Sequence, residues 1–276
     1  MQGLIRSQQR PAVQQGLLRV VAQLAALIAD ELMVLGDVRQ SRAWHGTARI
    51  AADQTADDAL RANVRVLAAL LPLYYGDPAD VVTLAREAAA VTEGTPSLAT
   101  IMGPTFEALG LAQLAATEAS LTALHTARAQ MQKLEAAYRT ESVFGFSVRR
   151  WRFYEGKVLS YLGRSEEAWS VLDEALALYP EDVVGDPTLI LFDRAISLVR
   201  DDQLVAGCEL AERTLLDLPA EHRADLFTRA ARRVLAAVPA DQRTTPPVRQ
   251  YREAIRACTA VGNRSGDHAP QRSNVD

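Results

Sequence analysis

Apolar and polar positions alternate with a helical period along most of the chain, most clearly in the stretch 151–180. Small Gly156 is followed by bulky Leu159, and after a short break come small Ala168 and bulky Leu172. Two helices can cross closely where both carry a small residue, and large side chains fill the space beside the crossing. The stretch therefore predicts a helical hairpin, closed by a proline that cannot continue a helix.

The small residue of the first helix recurs along the chain, at Ala29, Ala69, Ala108, Gly156 and Ala195. Subtracting neighbouring numbers gives separations of 40, 39, 48 and 39, so the longest unit has about nine extra residues, near 138–145. The pattern resembles the tetratricopeptide repeat, a helix–turn–helix unit of about 34 residues. The resemblance implies an all-α fold, a right-handed superhelix of about six helical hairpins.

Turn and capping residues predict where the helices begin and end. Leu17–Leu35 should end at Gly36, which suits the left-handed stop, and a second helix should cover about Val38–Ala52. Asp57–Tyr75 should be a helix bent near Pro72. Further helix starts are predicted at Asp77-Pro78, Thr95-Pro96, Ser165-Glu166-Glu167, Asp186-Pro187 and Pro246-Pro247.

The ends of the chain differ in composition from its middle. Residues 1–16 are polar, residues 17–261 carry the repeat pattern, and 262–276 form a Gly-, Pro- and Ser-containing tail that should be disordered. The last helix pair should cover Glu221–Val238 and Val248–Ala260. Its many Arg and Glu residues suit a terminal repeat exposed to water.

Composition and charge narrow the class of protein. Hydrophobic residues make up 49% of the chain and the net charge is −4, which does not favour general nucleic-acid binding. The most apolar run, 17–35, contains four strongly polar residues, so no membrane span is expected. Cys208 and Cys258 form no metal or redox motif, and we expect buried thiols in a cytoplasmic protein.

A second resemblance is carried by Leu35-Gly36-Asp37 with Ala43-Trp44, by the Gly76-Asp77-Pro78 stretch, and by 238–249. Together these resemble the C-terminal repeat region of actinobacterial transcriptional regulators of the Xre type, over about residues 15–260. Such regulators place a helix-turn-helix domain before repeats that sense a ligand or partner. The sixteen residues before Leu17 cannot hold such a domain. The chain is therefore either part of a regulator or a stand-alone relative, with no specific DNA binding expected of it alone.

Motifs for catalysis, metal or cofactors are missing from the sequence. The four histidines are far apart, at His45, His125, His222 and His268. Glycines do not cluster as a phosphate-binding loop, and there is no Gly-x-Ser-x-Gly nucleophile elbow. We therefore expect no enzyme activity, metal or cofactor.

Basic and aromatic residues alternate in Arg149–Tyr154. Such a cluster can stack on and pair with nucleic acid. In a repeat helix, however, the aromatic residues would pack and the arginines would lie on exposed faces. An acidic chain favours the second interpretation over nucleic acid, whereas an anionic group on a peptide or small ligand stays open.

The repeat resemblance places one wall of a concave groove on the first helix of each pair. The groove residues that we predict to bind ligand are Asn63, Tyr74, Gln113, Arg150, Phe153, Lys157, Tyr161 and Arg200, with Leu70, Thr105, Leu109, Phe192 and Ile196 beside them. Apolar walls with a few amide and cationic groups suit a peptide or small molecule. The other interpretation is that the apolar members are ordinary core residues.

Two functions stay open at this point. The first is a regulatory module whose groove binds a peptide or small-molecule effector. The second is a passive scaffold that docks a partner protein through an exposed apolar patch. A homodimer is compatible with either.

Overall fold

A computed structural model describes residues 11–91, 97–133 and 147–265, and these ranges are helical with no strand. The α-helices are α1 (Pro11–Leu35), α2 (Val38–Asp53), α3 (Asp58–Ala68), α4 (Leu70–Tyr75), α5 (Pro78–Val91), α6 (Leu98–Gln113), α7 (Thr117–Lys133), α8 (Val148–Tyr161), α9 (Ser165–Leu178), α10 (Gly185–Arg200), α11 (Leu204–Asp217), α12 (Asp225–Ala237) and α13 (Pro246–Ser265). Two 3₁₀ turns, Ala220–His222 and Ala240–Gln242, precede the last two helices. The all-α prediction is confirmed.

The chain divides between Tyr179 and Pro180 into two compact units. In the first unit, α1 packs on α2, α3 and α4 on α5, α6 on α7, and α8 on α9. In the second unit α10 packs on α11, and α13 on α11 and α12. These contacts join helices that are adjacent or two apart in the chain, as short loops between helices favour.

Helix pairs cross where small residues lie twelve positions apart. A Cβ on Gly156 would lie 2.5 Å from two side-chain atoms of Leu172 and 3.4 Å from the carbonyl oxygen of Ala168. In the second unit, a Cβ on Gly207 would lie 2.9 Å from the carbonyl oxygen of Ala195. The predicted close crossing at Gly156 and Ala168 is confirmed, and Ala195 and Gly207 repeat it with the two roles exchanged.

The third helix pair makes the same crossing with a hydrogen bond. Ser120 lies twelve residues after Ala108, and its hydroxyl donates to the Ala108 carbonyl oxygen at 2.7 Å. Both residues are completely buried. In the first pair, Ser41 follows Ala29 by twelve residues and is equally buried.

One turn geometry closes four of the hairpins. The residue seven positions after the small one is left-handed in each, at Gly36 (φ 87°), Ala115 (φ 58°), Gly163 (φ 72°) and Asp202 (φ 61°). The amide of the residue after it bonds back to the carbonyl five positions earlier, as from Asp37 to Leu32 at 2.9 Å. This is the 6→1 bond of the Schellman helix stop, which favours glycine at the left-handed position. The predicted stop at Gly36 is confirmed.

Several predicted boundaries need correction. The helix expected to bend near Pro72 is interrupted at Ala69. The proline ring clashes with the carbonyl group four residues before it, and proline has no N–H to donate to that carbonyl, so the helix cannot continue regularly through this stretch. Ser165, expected as a cap, is the first residue of α9, and its N-cap is Arg164.

The predicted ends of the chain also differ from the structure. Residues 11–16 of the polar N-terminal segment belong to α1, and 262–265 of the expected tail belong to α13. The structure does not describe the remaining parts of these two segments. The predicted helix start at Thr95-Pro96 and the predicted extra residues near 138–145 also lie outside the described residues.

A buried cluster forms the core of the second unit. Tyr251 lies at its centre, completely buried, and its hydroxyl donates to the Ala231 carbonyl oxygen at 2.8 Å. Burial raises the pKa of the Tyr251 phenol. Cys208 and Cys258 belong to the same cluster and are free thiols, so their predicted burial is confirmed.

Candidate functional site

Three of the predicted groove residues, from two helices of the first unit, come together around a buried lysine. The Lys157 Nζ lies 5.3 Å from the ring centroid of Phe153 and 5.6 Å from that of Tyr74. Phe153 is completely buried, Lys157 is 1% exposed, and Tyr74 is half-buried. A cation over aromatic faces is attracted to the ring quadrupoles. Phe153 and Lys157 are therefore part of the core rather than of an open groove wall.

Asn63 has a structural partner. Its side-chain Oδ1 accepts a hydrogen bond from the backbone amide of Ala99 at 3.2 Å. Ala99 lies in the first turn of α6, where backbone amides lack partners within the helix. Asn63, which we predicted as a ligand-binding groove residue, thus caps a neighbouring helix.

The other predicted groove residues differ in exposure. Gln113, Arg150 and Tyr161 are half-buried residues of the first unit. Arg200 is exposed at the end of α10 in the second unit. Ligand binding by these residues stays a prediction.

The arginines of the basic and aromatic cluster in α8 contact protein groups. Arg152 bonds to Glu155 at 2.8 Å and to Glu174 at 3.1 Å, and the guanidinium of Arg149 lies 4.9 Å from the Tyr179 ring centroid. Arg128 from α7 adds a third ion pair, to Glu155 at 2.6 Å. The Glu155 side chain is only 3% exposed, so two guanidiniums compensate a buried carboxylate. These contacts fit a structural role for the cluster.

A second group of buried polar atoms lies between α1 and α2. Asp30 Oδ1, Ser41 Oγ and both ring nitrogens of His45 have no hydrogen-bond partner in the described structure. His45 Nε2 lies 3.9 Å from Asp30 Oδ1, too far for a hydrogen bond. Buried polar groups nearly always have a partner, so this group is a candidate for contact with a ligand.

Burial shifts both titratable members of this group toward their neutral forms. Burial raises the pKa of Asp30 from 3.8 to about 7, against the positive charge of Arg150, while Glu31 adds to the rise. Burial lowers the pKa of His45 from 6.5 to about 4. His45 is therefore neutral at pH 7, with one ring nitrogen as donor and the other as acceptor.

His45 also lines a cavity of about 370 Å³ in the first unit. The cavity is walled by residues of α2, α3, α4 and α5, namely Arg42, His45, Gly46, Arg49, Val64, Arg65, Ala68, Leu71, Pro72, Asp80, Thr83 and Leu84. Its size falls within the range of small-molecule sites. An apolar floor with a few convergent polar groups is the usual composition of such a site.

Four of the lining residues belong to one face of α2. Arg42, His45, Gly46 and Arg49 follow one another at spacings of three, one and three. The pairs 42/45 and 46/49 are three apart and the pairs 42/46 and 45/49 four apart, which brings their side chains to the same side of a helix. A Cβ on Gly46 would meet nothing within 4 Å, so the missing side chain leaves open space in the cavity wall.

The arginines around the cavity differ in how their charge is compensated. Arg65 makes two bonds to the Asp53 carboxylate, at 2.8 and 2.9 Å, with its side chain 12% exposed. Arg49 makes only long contacts, 3.9 Å to Asp53 and 4.0 Å to Glu87. Arg42 forms no salt bridge with any described residue. Arg42 is therefore the guanidinium of this wall that no described carboxylate pairs with directly.

This site was not predicted from the sequence. The four histidines are far apart in the sequence, and in the cavity one histidine lies among arginines. The pattern of Arg42, His45 and Arg49 on one helix face could have indicated it. The contributions of α3, α4 and α5 could not be read from spacing, because they depend on how the hairpins pack.

The second unit contains a cavity of about 400 Å³ between α10 and α11. Two threonines in its wall donate within their own helices, Thr188 to Val184 and Thr214 to Leu210, both at 2.8 Å. The remaining side chains are mainly aliphatic, with Arg213 and Asp217 one helical turn apart. The opposite charges lie where they can compensate each other, which makes this cavity the weaker candidate.

Metal and membrane sites were also sought. Within the described ranges, no three His, Cys, Asp or Glu side chains form a group that could hold a metal ion. None of the described helices is both long and apolar enough to cross a membrane.

Comparison with known proteins adds no assignment. The chain matches no protein-family model, no curated protein and no solved structure.

Proposed function

We propose that the chain is a ligand-binding regulatory module built from tetratricopeptide-like hairpins. Support for the repeat comes from the crossing of residues twelve positions apart, as at Gly156 and Ala168. Further support comes from the left-handed residue seven positions after the small one, as at Gly163. Hairpins of this kind stack into a right-handed superhelix, whose curvature makes binding surfaces.

The observation that carries ligand binding is the cavity that His45 lines. It combines a suitable volume, an aliphatic floor, three guanidiniums and a buried imidazole without a hydrogen-bond partner in the described structure. We attribute the unpartnered ring nitrogens of His45 to contact with a small-molecule effector.

A regulatory role is proposed from the resemblance to the repeat region of Xre-type regulators. In this view the repeats sense an effector, and a helix-turn-helix domain elsewhere binds DNA. The chain alone should show no sequence-selective DNA binding in a gel-shift experiment at physiological salt. Sequence-selective retardation would contradict this part of the proposal, whereas weak binding lost on adding salt would report only nonspecific electrostatics.

A second candidate function is a scaffold that docks a partner protein. Four apolar side chains are exposed along α1: Val13, Val20, Leu24 and Ile28, between 38% and 47% exposed. Their spacings of seven, four and four place them along one side of the helix. Such a stripe can pack against a partner helix.

Filling the cavity tests the first function against the second. We expect some members of a mixed panel of small organic acids, amides and amines to raise the melting temperature of the parent protein by several degrees. Gly46→Leu should abolish the rise, because its side chain enters the cavity wall where a Cβ meets no atom within 4 Å. Leucine also has a better helix propensity than glycine, so the variant should stay folded.

Gly16→Leu is the matched control. Gly16 is also helical, a Cβ there meets nothing within 4 Å, and it does not line the cavity. Its melting shifts should equal those of the parent. Equal shifts in Gly46→Leu, or no shift in any protein, would refute the cavity as the site and favour the scaffold.

A further inference from the structure

We infer that the cavity binds an organic monoanion: a carboxylate on an apolar body about the size of a fused aromatic ring pair, with Arg42 as the main charge partner. This inference rests on the proposed function and specifies its ligand class. It follows from the charge on the cavity wall, from the composition of the floor, and from the neutral state of His45.

The guanidiniums in the cavity wall indicate a negatively charged group on the ligand. The Arg65 guanidinium is bound by Asp53 through two bonds, and Arg49 shares long contacts with Asp53 and Glu87. Arg42 remains as the guanidinium without a salt-bridge partner in the described part of the chain. A carboxylate is the natural partner, because its two oxygens match the planar fork of a guanidinium.

An acidic residue in the cavity wall limits the number of negative charges that the ligand can carry. Asp80 lines the cavity from α5 and is exposed. Its carboxylate repels a second anionic group on the ligand, as like charges disfavour each other. One carboxylate toward Arg42 and Arg49 therefore fits the site better than two.

The apolar floor of the cavity indicates that the rest of the ligand is apolar. The floor is formed by Val64, Ala68, Leu71, Pro72 and Leu84, which offer no side-chain hydrogen bonds. Burying apolar surface against them stabilises the complex by roughly 25 cal/mol per Å². A polar body such as a sugar would lose its hydration there without replacement.

His45 is placed to donate a hydrogen bond to the carboxylate of the ligand. It lines the cavity, is 6% exposed, and both its ring nitrogens are without a hydrogen-bond partner in the described structure. Because it is neutral at pH 7, it offers one N–H and one lone pair rather than a charge. An N–H donated to a carboxylate oxygen would satisfy one of the buried nitrogens and orient the acid group.

The test compares two probes of the same shape. 1-Naphthoate carries the carboxylate, and 1-naphthamide replaces it by a neutral amide. Titration calorimetry at pH 7.5 and low salt should show 1-naphthoate binding about tenfold more tightly, the size expected from one charge-assisted hydrogen bond. Naphthalene-1,4-dicarboxylate should bind more weakly than 1-naphthoate.

Variants then locate the charge. Arg42→Gln should reduce 1-naphthoate affinity about tenfold and leave 1-naphthamide unchanged. Arg39→Gln is the matched control: it is an exposed arginine of α2 that does not line the cavity, and its loss changes the net charge equally. It should bind both probes as the parent does.

The outcomes separate the two proposals. If 1-naphthamide binds as tightly as 1-naphthoate, and Gly46→Leu blocks both, the cavity is a ligand site but the anion assignment is wrong. The assignment is equally overturned if Arg39→Gln and Arg42→Gln weaken 1-naphthoate to the same extent. If neither probe and no member of the mixed panel binds, the cavity is not a site and both proposals fall.

Discussion

Gly156 lies at a close helix crossing in the first unit, and its substitution has an effect whose size can be predicted. Adding only a methyl group, in Gly156→Ala, would place a carbon 2.5 Å from Cγ and Cδ2 of Leu172. Carbon atoms normally approach to about 3.5–4.0 Å, so Leu172 would have to retreat by about 1 Å. Leu172 is completely buried, so its displacement would disturb the packing around it.

The magnitude follows from two opposing effects. Overpacking a core typically destabilises by about 1–3 kcal/mol, while alanine is favoured over glycine in a helix by about 1 kcal/mol. Gly46→Ala is the matched change, because Gly46 is also helical and its Cβ would meet nothing within 4 Å. The two substitutions should therefore differ by about 1–3 kcal/mol in the free energy of unfolding, with Gly46→Ala the more stable.

Urea unfolding followed by tryptophan fluorescence is the appropriate assay. All three tryptophans, Trp44, Trp151 and Trp169, belong to the first unit, so the signal reports the unit that contains the crossing. In the double variant Gly156→Ala/Leu172→Ala the added methyl enters vacated space. Its loss of stability should be smaller than the sum of the two single losses by about 0.5–3 kcal/mol. Equal stabilities of Gly156→Ala and Gly46→Ala, or simple additivity, would refute the close crossing.

Three further predictions concern other parts of the structure. In the folded protein the pKa of Asp30 is about 7 and that of His45 is about 4. Asp30→Asn should therefore lose stability as the pH falls from 6.5 to 4, because over this range the histidine is protonated in the unfolded state but not in the folded state. His45→Gln should instead lose stability as the pH rises from about 4 to about 7, because over this range the aspartate ionises only in the unfolded state. Urea unfolding at several pH values in this range measures how the free energy of unfolding of each variant changes with pH, and equal slopes in both variants would contradict the two pKa shifts. Replacing both Arg128 and Arg152 by methionine should destabilise the first unit by about 3–5 kcal/mol, because the buried Glu155 carboxylate then lacks a compensating positive charge. Adding Glu155→Gln to this variant should recover part of the lost stability in the same urea assay. Ala115→Gly should raise the melting temperature by a few degrees, because glycine adopts the left-handed conformation without the strain of a Cβ, and an unchanged or lower value would show that the turn tolerates alanine fully.

The groove prediction shows where reasoning from the sequence stopped. The residue spacing placed Tyr74 and Lys157 toward a common space, and they do lie together. Spacing could not show that Lys157 is buried there or that Asn63 caps α6. Both facts depend on contacts between helices that are distant in the sequence.

The candidate cavity was equally beyond the sequence. Arg42, His45 and Arg49 share a helix face, which is a local property. Which of these cations remains uncompensated depends on Asp53, Glu87 and the approach of other helices. Charge balance at a site is a property of tertiary packing, because ion pairs form between whichever groups the fold brings within a few ångströms.

Local sequence features predicted the helical hairpins and several of their turns, whereas the break at Ala69 and the start of α9 differ from the prediction. Small residues such as Gly156 and Ala168 fix a close crossing, and Gly163 fixes the turn between them, because these effects act over one or two dozen residues. The buried polar side chains without a partner and the position of the cavity could be recognised only in the folded structure. Those outcomes depend on contacts between hairpins, in which the exposure of a group such as His45 is set by residues up to about forty positions away.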